Sequence, residues 1–151
     1  MPVGIDTYAY RGRLPHLNKA DKTYFVTFCT RSRETLPPAA RDIVLSSCIH
    51  DHEKLCWLDC VVDMPDHVHL IVTPYDGLLL ATVLNQIKSA SVHRINRSMG
   101  RSGSLWQRES FDRILRSDEN LYAKREYIFN NPVRAGLVAR WEDYPWIWYP
   151  K

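Results

Sequence analysis

Apolar and polar positions along the chain follow two periods in turn. Tyr24-Phe25-Val26-Thr27-Phe28-Cys29-Thr30 has strand composition throughout. Arg31 to Pro38 is a loop, with Pro37-Pro38 as a breaker or helix start. From Ala39 to about Leu55, Ile43, Val44, Ser47, Cys48 and Leu55 follow the spacing of an amphipathic helix, imperfect at its end. Cys56 to Asp63 is a second strand, and Met64-Pro65-Asp66 turns it into a third, His67-Val68-His69-Leu70-Ile71-Val72. Those two strands are expected to pair as an antiparallel hairpin. Leu78 to about Met99 is a long helix whose buried stripe is Leu80, Val83, Leu84, Ile87, Ser91 and Ile95. Leu105 to Arg116 gives one or two short strands, and Ser117 or Asp118 can cap a helix that runs through Tyr127 and Ile128. Strand, helix, strand, strand, helix, strand is the order of a split βαβ unit. The predicted class is α+β: a ferredoxin-like antiparallel sheet, βαββαβ plus a C-terminal helix, with the third strand central.

Length and composition narrow the picture. A chain of 151 residues is expected to form one domain, 1–151, with a polar arm at 1–23 and an aromatic tail at 139–151. At 45% apolar and 25% charged it is not a disordered chain. No apolar run is long enough for a membrane helix, and no apolar leader opens the sequence, so a cytoplasmic protein is expected. Cys29, Cys48, Cys56 and Cys60 form no Cys-x-x-Cys pair and read as reduced core thiols rather than zinc ligands.

Net charge is +3, which is compatible with a polyanionic partner without demanding one. Two segments concentrate basic residues. The arm carries Arg11 and Arg13 beside Tyr8, Tyr10 and His16, and is either a nucleic-acid contact or a loose lead-in. The later half of the long helix carries Lys88, His93, Arg94, Arg97 and Arg101, either as a phosphate-binding surface or as a solvated face.

The candidate chemistry begins at His67 and His69. Residues two apart in a strand share a face, so both imidazoles point one way while Val68, Leu70 and Val72 point into a core. Such a pair can bind one metal ion, or it can simply face solvent. His50 and His52, near the end of the first helix, are accounted for by the helix dipole. Downstream, Tyr127 and Asn131 are four apart and share a face if their helix is continuous. Tyr127 can then be a nucleophile or a packing residue. Asn131 can supply an oxygen as third ligand to Mg²⁺ or Mn²⁺. Alternatively, lying before Pro132, it can cap a short helix from Pro132 to Leu137, with Gly136 near its end.

The stretches Met64-Pro65-Asp66-His67-Val68-His69-Leu70-Ile71-Val72, Leu105-Trp106-Gln107-Arg108 and Tyr127-Ile128-Phe129-Asn130-Asn131-Pro132-Val133-Arg134-Ala135-Gly136-Leu137-Val138 together resemble the IS200-type, single-tyrosine HUH transposases, and in particular their REP-associated branch. Arg11-Gly12-Arg13-Leu14-Pro15-His16, Tyr24-Phe25-Val26-Thr27 and the aromatic tail are weaker matches. The resemblance implies an antiparallel sheet with helices on both faces, and cleavage and rejoining of single-stranded or hairpin DNA. It implies that His67 and His69 are the metal pair and Tyr127 the nucleophile. In related enzymes a Gln stands one turn after the Tyr as third ligand; here the position is Asn131, shorter by one methylene.

The chemistry suits these residues. A phosphodiester is anionic, and a divalent ion, Mg²⁺ or Mn²⁺, neutralises charge developing on it. A phenol ionises near pH 10 in water, so attack by one calls for positive charge nearby. The expected product is a 5′-phosphotyrosine and a free 3′-OH, which another 3′-OH can reverse without ATP. Lys88, Arg94 and Arg97, with Arg11 and Arg13, are the candidate DNA contacts, and exposed aromatics the candidate base platforms. The expected partner is DNA with short palindromic repeats, bound by a monomer or a homodimer. The alternatives are a replication initiator or relaxase of the wider HUH class, a non-catalytic hairpin DNA- or RNA-binding module, and a metal oxygenase using Asp63 or Asp66. Neither aspartate shares the histidine face by alternation.

Overall fold

The computed structural model describes residues 22–116 and 120–151. Arg11, Arg13 and the rest of residues 1–21 lie outside the described residues, as do Ser117 and Asp118, while Thr23 at the end of the expected arm already belongs to a strand. The strands are β1 (Thr23–Cys29), β2 (Cys56–Asp63), β3 (His67–Pro74), β4 (Phe111–Leu115) and β5 (Ile147–Trp148). The helices are α1 (Pro38–His50), α2 (Leu80–Met99), α3 (Leu121–Phe129) and α4 (Asn131–Arg134). The strands form one antiparallel sheet in the order β4-β1-β3-β2-β5, with β3 in the middle as expected.

Alternation along β3 divides the core. Val68, Leu70 and Val72 join Val44 and Cys48 of α1 and Val83, Ile87 and Ile95 of α2. Ile71 joins a second cluster with Leu121, Ile128 and Phe129 of α3 and with Tyr144. Since neighbouring β3 side chains point to opposite faces, α1 and α2 cover one face and α3 lies over the other, the face of His67 and His69. No helix among the described residues is long and apolar enough to cross a membrane. The four cysteines are unpaired, and Cys48, Cys56 and Cys60 are buried.

Three elements depart from the sequence reading. The first helix stops at His50, five residues short of Leu55, because Asp51 to Leu55 form a turn that leads into β2. There Glu53 adopts φ +68°, and His52 Nδ1 accepts from Leu58 N–H at 2.9 Å. The register of β2 shifts between Leu58 and Cys60, a bulge that moves Cys60 and Val62 to the α3 face while Leu58 and Val61 stay in the other core. The aromatic tail contributes a strand. Ile147 and Trp148 pair with Val62 and Val61 and cover the β2 edge.

Candidate active site

His67 and His69 sit on the central strand, opposite Cys29 and Thr27 of β1. Their ring centroids are 4.7 Å apart and the planes nearly perpendicular, at 80°. Each ring has its Nδ1 engaged. His67 Nδ1 donates to Asp66 Oδ1 at 2.7 Å, and His69 Nδ1 shares a 2.7 Å hydrogen bond with Thr27 Oγ1. Both Nε2 atoms therefore remain for a ligand, and a partner on Nδ1 fixes ring orientation as it does in metal sites.

The electrostatics follow from the packing. Burial, then the electrostatic influence of neighbouring His67, Arg134 and Arg33, pushes the His69 pKa down to about 3. The ring is thus neutral at ordinary pH, the form that binds metal. Burial alone would raise the pKa of Asp66. Hydrogen bonds from His67 and Arg33 outweigh it and hold the carboxyl below the usual range. Arg33 Nε donates to Asp66 Oδ2 at 3.0 Å, so an Arg33–Asp66–His67 chain braces one ring. Its anchor is a tight turn in which Ser32 and Arg33 have φ of +56° and +54°. Such left-handed backbone costs non-glycine residues of order 1 kcal/mol or more and clusters at functional sites.

Tyr127 lies on α3, 61% exposed. Asn120 caps that helix, its side chain accepting from Ala123 N–H at 3.1 Å. A bidentate pair holds the helix to the sheet: Arg125 donates to both oxygens of Asp59, at 2.7 and 3.1 Å, and Asp59 stands at the β2 bulge. The helix is not continuous to Asn131. It ends at Phe129, and Asn130 forms the junction with α4 at φ −80°, ψ 0°. Pro132 has no N–H to give the Ile128 carbonyl and its ring crowds that carbonyl, so α3 cannot run on through it. Asn131 opens α4, and its side-chain oxygen accepts from Arg134 Nη2 at 3.3 Å instead of capping that helix.

Arg134 rejoins what the break separates. Its Nη2 also donates to the Tyr127 carbonyl at 2.8 Å, and its guanidinium lies 4.1 Å from the centre of the Tyr127 ring. Lys124 Nζ is 5.9 Å from the same ring and 5.7 Å from that of Phe25. Phe25 in turn stacks on His69 at 5.7 Å. A run of contacts thus leads from His69 through Phe25 and Lys124 to the Tyr127 ring, and Arg134 joins that ring to Asn131 Oδ1. Among the described residues no group of three His, Cys, Asp or Glu side chains is placed to hold a metal. A metal bound here would rest on the two imidazoles and an amide oxygen.

The basic residues of α2 lie elsewhere. That helix packs on the opposite face of the sheet from the histidines. Arg94 donates to Ser46 and Ser47 Oγ of α1 at 2.8 and 3.0 Å. Lys88 is half-buried and donates to Ser110 Oγ at 2.7 Å, while Arg97 is exposed in the last turn. Sequence reasoning missed Thr27, Arg33, Lys124 and Arg134 as site residues. Arg134 had a signal, its fixed spacing from Tyr127. Lys124 had one too, three residues before Tyr127 on the same helix, whereas Thr27 and Arg33 are joined to the site only by strand register and packing.

A Haemophilus influenzae protein assigned by name as a REP-associated tyrosine transposase is 28% identical over 93 residues, covering 55% of this chain and 53% of that protein. This match therefore spans about half the length of that relative. A second Haemophilus influenzae protein, uncharacterised, is 26% identical over 80% of this chain and 86% of its own length. The fold resembles a REP-associated tyrosine transposase solved bound to a REP hairpin, with TM-score 0.67 and 23% identity, over 83% of this chain and 75% of that one. It also resembles a Deinococcus radiodurans R1 protein assigned by name as a transposase, with TM-score 0.52 and 20% identity, over 73% of this chain and 90% of that one. A family model described as IS200-like transposase matches residues 19–131, most of the sequence, and the chain belongs to that family.

Proposed function

We propose that the protein cleaves and rejoins single-stranded or hairpin DNA through Tyr127, with a divalent ion, Mg²⁺ or Mn²⁺, held by His67 and His69. The observation that carries this reading is a pair of imidazoles with both Nδ1 atoms engaged, on the face that carries an exposed tyrosine flanked by Arg134 and Lys124. The donor set fits such an ion, because His69 is neutral and both Nε2 atoms are left for it. Asn131 Oδ1 has a second lone pair beyond the one facing Arg134 and can serve as third ligand. Such an ion, when bound by these residues, would supply Lewis-acid polarisation of a phosphoryl oxygen.

The chain's own groups do the rest. The phenol of Tyr127 gives up its proton and attacks phosphorus. The bond to O3′ breaks, and O3′ takes a proton to leave as a free 3′-OH. The 5′-phosphotyrosine preserves the diester's energy for the reverse attack by another 3′-OH. Arg134 and Lys124 add positive charge beside the anionic diester, and Arg134 sets the ring plane. The hairpin-bound relative supports a palindromic hairpin as the substrate.

The test is a denaturing gel of labelled hairpin DNA with Mg²⁺ or Mn²⁺, followed by peptide mapping of the adduct. Wild-type protein is expected to form a metal-dependent covalent complex at Tyr127 that EDTA prevents. Tyr127→Phe should keep the fold and the DNA affinity and form none. Persistence of the complex in that variant moves the nucleophile elsewhere. No adduct from wild type on any hairpin makes a non-catalytic hairpin-binding module the better reading.

A further inference from the structure

The Leu105-Trp106-Gln107-Arg108 segment plays no part in the site described above, yet it is built with care. It runs beside the end of β1. Gln107 N–H donates to Cys29 O and Arg31 N–H to Leu105 O, both at 2.8 Å, and Trp106 bridges antiparallel to Thr30. The Trp106 ring is buried, edge-on to Phe28 at 4.8 Å, with its Nε1 donating to Ser91 Oγ at 3.0 Å. Gln107 Nε2 donates to Thr30 O at 3.2 Å. The segment is therefore a fixed wall.

Between this wall and the Arg31–Arg33 turn lies a cavity of about 580 Å³, lined by Arg31, Ser32, Ser104, Trp106, Gln107 and Arg108. None of its lining residues is acidic. Arg31 donates to Ser104 Oγ, and Arg108 is exposed with no ion-pair partner among the described residues. Lys88 lies behind the wall, its Nζ 3.4 Å from Gln107 O. The turn divides its two arginines. Arg33 reaches Asp66 and comes within 3.4 Å of His67 Nδ1, while Arg31 reaches into the cavity. A second cavity shares Ser104, Trp106, Gln107 and Arg108 and continues the groove toward Lys88 and His93.

We propose that this cleft binds the sugar–phosphate backbone of a nucleic-acid strand that crosses the turn from the His67 side. Arg31 and Arg108 contact phosphate oxygens, and Ser32, Ser104 and Gln107 supply hydrogen bonds. The inference rests on the DNA-cleaving reading, since it takes the strand at His67 as its starting point. The lining chemistry selects backbone over base. It offers cations, hydroxyls and an amide, and its one aromatic ring is buried and engaged on its edge, leaving no exposed plane for stacking. A fork of guanidinium donors matches a phosphodiester. The left-handed turn is what allows residues two apart to serve two sites.

The experiment measures binding of a fluorescent hairpin with single-stranded flanks, without divalent metal, across a salt series. It compares wild type, Arg108→Ala, Arg31→Ala and the double variant, with thermal melts as a fold control. Arg108 makes no ion pair among the described residues, so its variant is the cleaner one. Loss of one phosphate contact on a single strand reduces the slope of log K against log salt by about 0.7. Each single variant is expected to show that loss, and the double variant about twice as much. Wild-type slope and affinity in a folded double variant overturn the proposal while leaving the cleavage reading intact. Wild-type protein that binds no DNA at all overturns both. Inorganic phosphate serves as the second probe. If it protects the cleft from arginine-directed labelling while the double variant binds DNA like wild type, the cleft takes free phosphate and the proposal fails.

Discussion

The Arg134 guanidinium lies 4.1 Å from the centre of the Tyr127 ring while also donating to the Tyr127 carbonyl at 2.8 Å. One side chain thus sets the ring by a cation–π contact and ties off the end of the helix that carries it. The same nitrogen reaches Asn131 Oδ1, so Arg134 links the three residues across the break at Asn130.

Arg134→Ala should therefore slow adduct formation by roughly 10- to 100-fold, the scale on which misplacement of a reacting group acts. Arg134→Lys keeps the charge but loses the planar fork and should recover only part of the rate. Single-turnover cleavage of a hairpin, at matched DNA saturation, measures both. Equal rates in all three proteins remove Arg134 from the positioning role.

Asp66 braces His67 through Nδ1 and is itself braced by Arg33. Asp66→Asn leaves β3 intact and should weaken divalent-ion binding by about 10- to 100-fold, as loss of an orienting partner does. Titration with Mn²⁺, followed by electron paramagnetic resonance, reads the free ion directly. Unchanged affinity would mean that His67 is oriented by its packing alone.

Asp59 is 2% exposed and pairs with Arg125 in bidentate fashion. Arg125→Ala strands a buried carboxylate and should cost about 3 kcal/mol. Arg125→Ala with Asp59→Ala should recover part of that, because the stranded charge is gone. Urea denaturation of the two single variants and the double closes the cycle. Additive losses would show that the pair does not hold α3 to the bulge.

Asp63 is fully buried, and neither of its carboxylate oxygens has a hydrogen-bond partner among the described residues. Burial raises its pKa well above the ordinary value, Arg41 opposes the rise and Asp42 adds to it. Tyr144 approaches only the backbone, donating to Asp63 O at 2.7 Å. With the folded pKa above the unfolded one, the native state binds more protons, so stability falls as pH rises through the folded pKa. Asp63→Asn removes that loss. The variant should exceed wild type by about 1–3 kcal/mol at neutral pH, the scale of an unsatisfied buried group. The difference should shrink as pH falls to the ordinary carboxylate range. Urea midpoints across a pH series test the trend. A gap that stays constant with pH would place the effect in packing.

Hydrophobic period, a local property, carried most of the fold. It placed the buried stripe Val83, Leu84, Ile87, Ser91 and Ile95 of α2 and the ends of β2. Strand alternation alone put His67 and His69 on one face, and element order alone put their strand at the centre. Other features depend on contacts between distant segments, and no local period records those. Burial of Cys56 to Asp63 on both faces hides the bulge at Asp59, because such a strand has no apolar–polar alternation to break. The aromatic tail becomes β5 only because the β2 edge is there to be covered. Lys88 and Arg94 read as surface cations until packing turned them toward Ser110 and the α1 serines. Arg134 shows the same division most plainly. Its spacing from Tyr127 was visible in the sequence, but the break before Pro132 is what brings its guanidinium back over the ring.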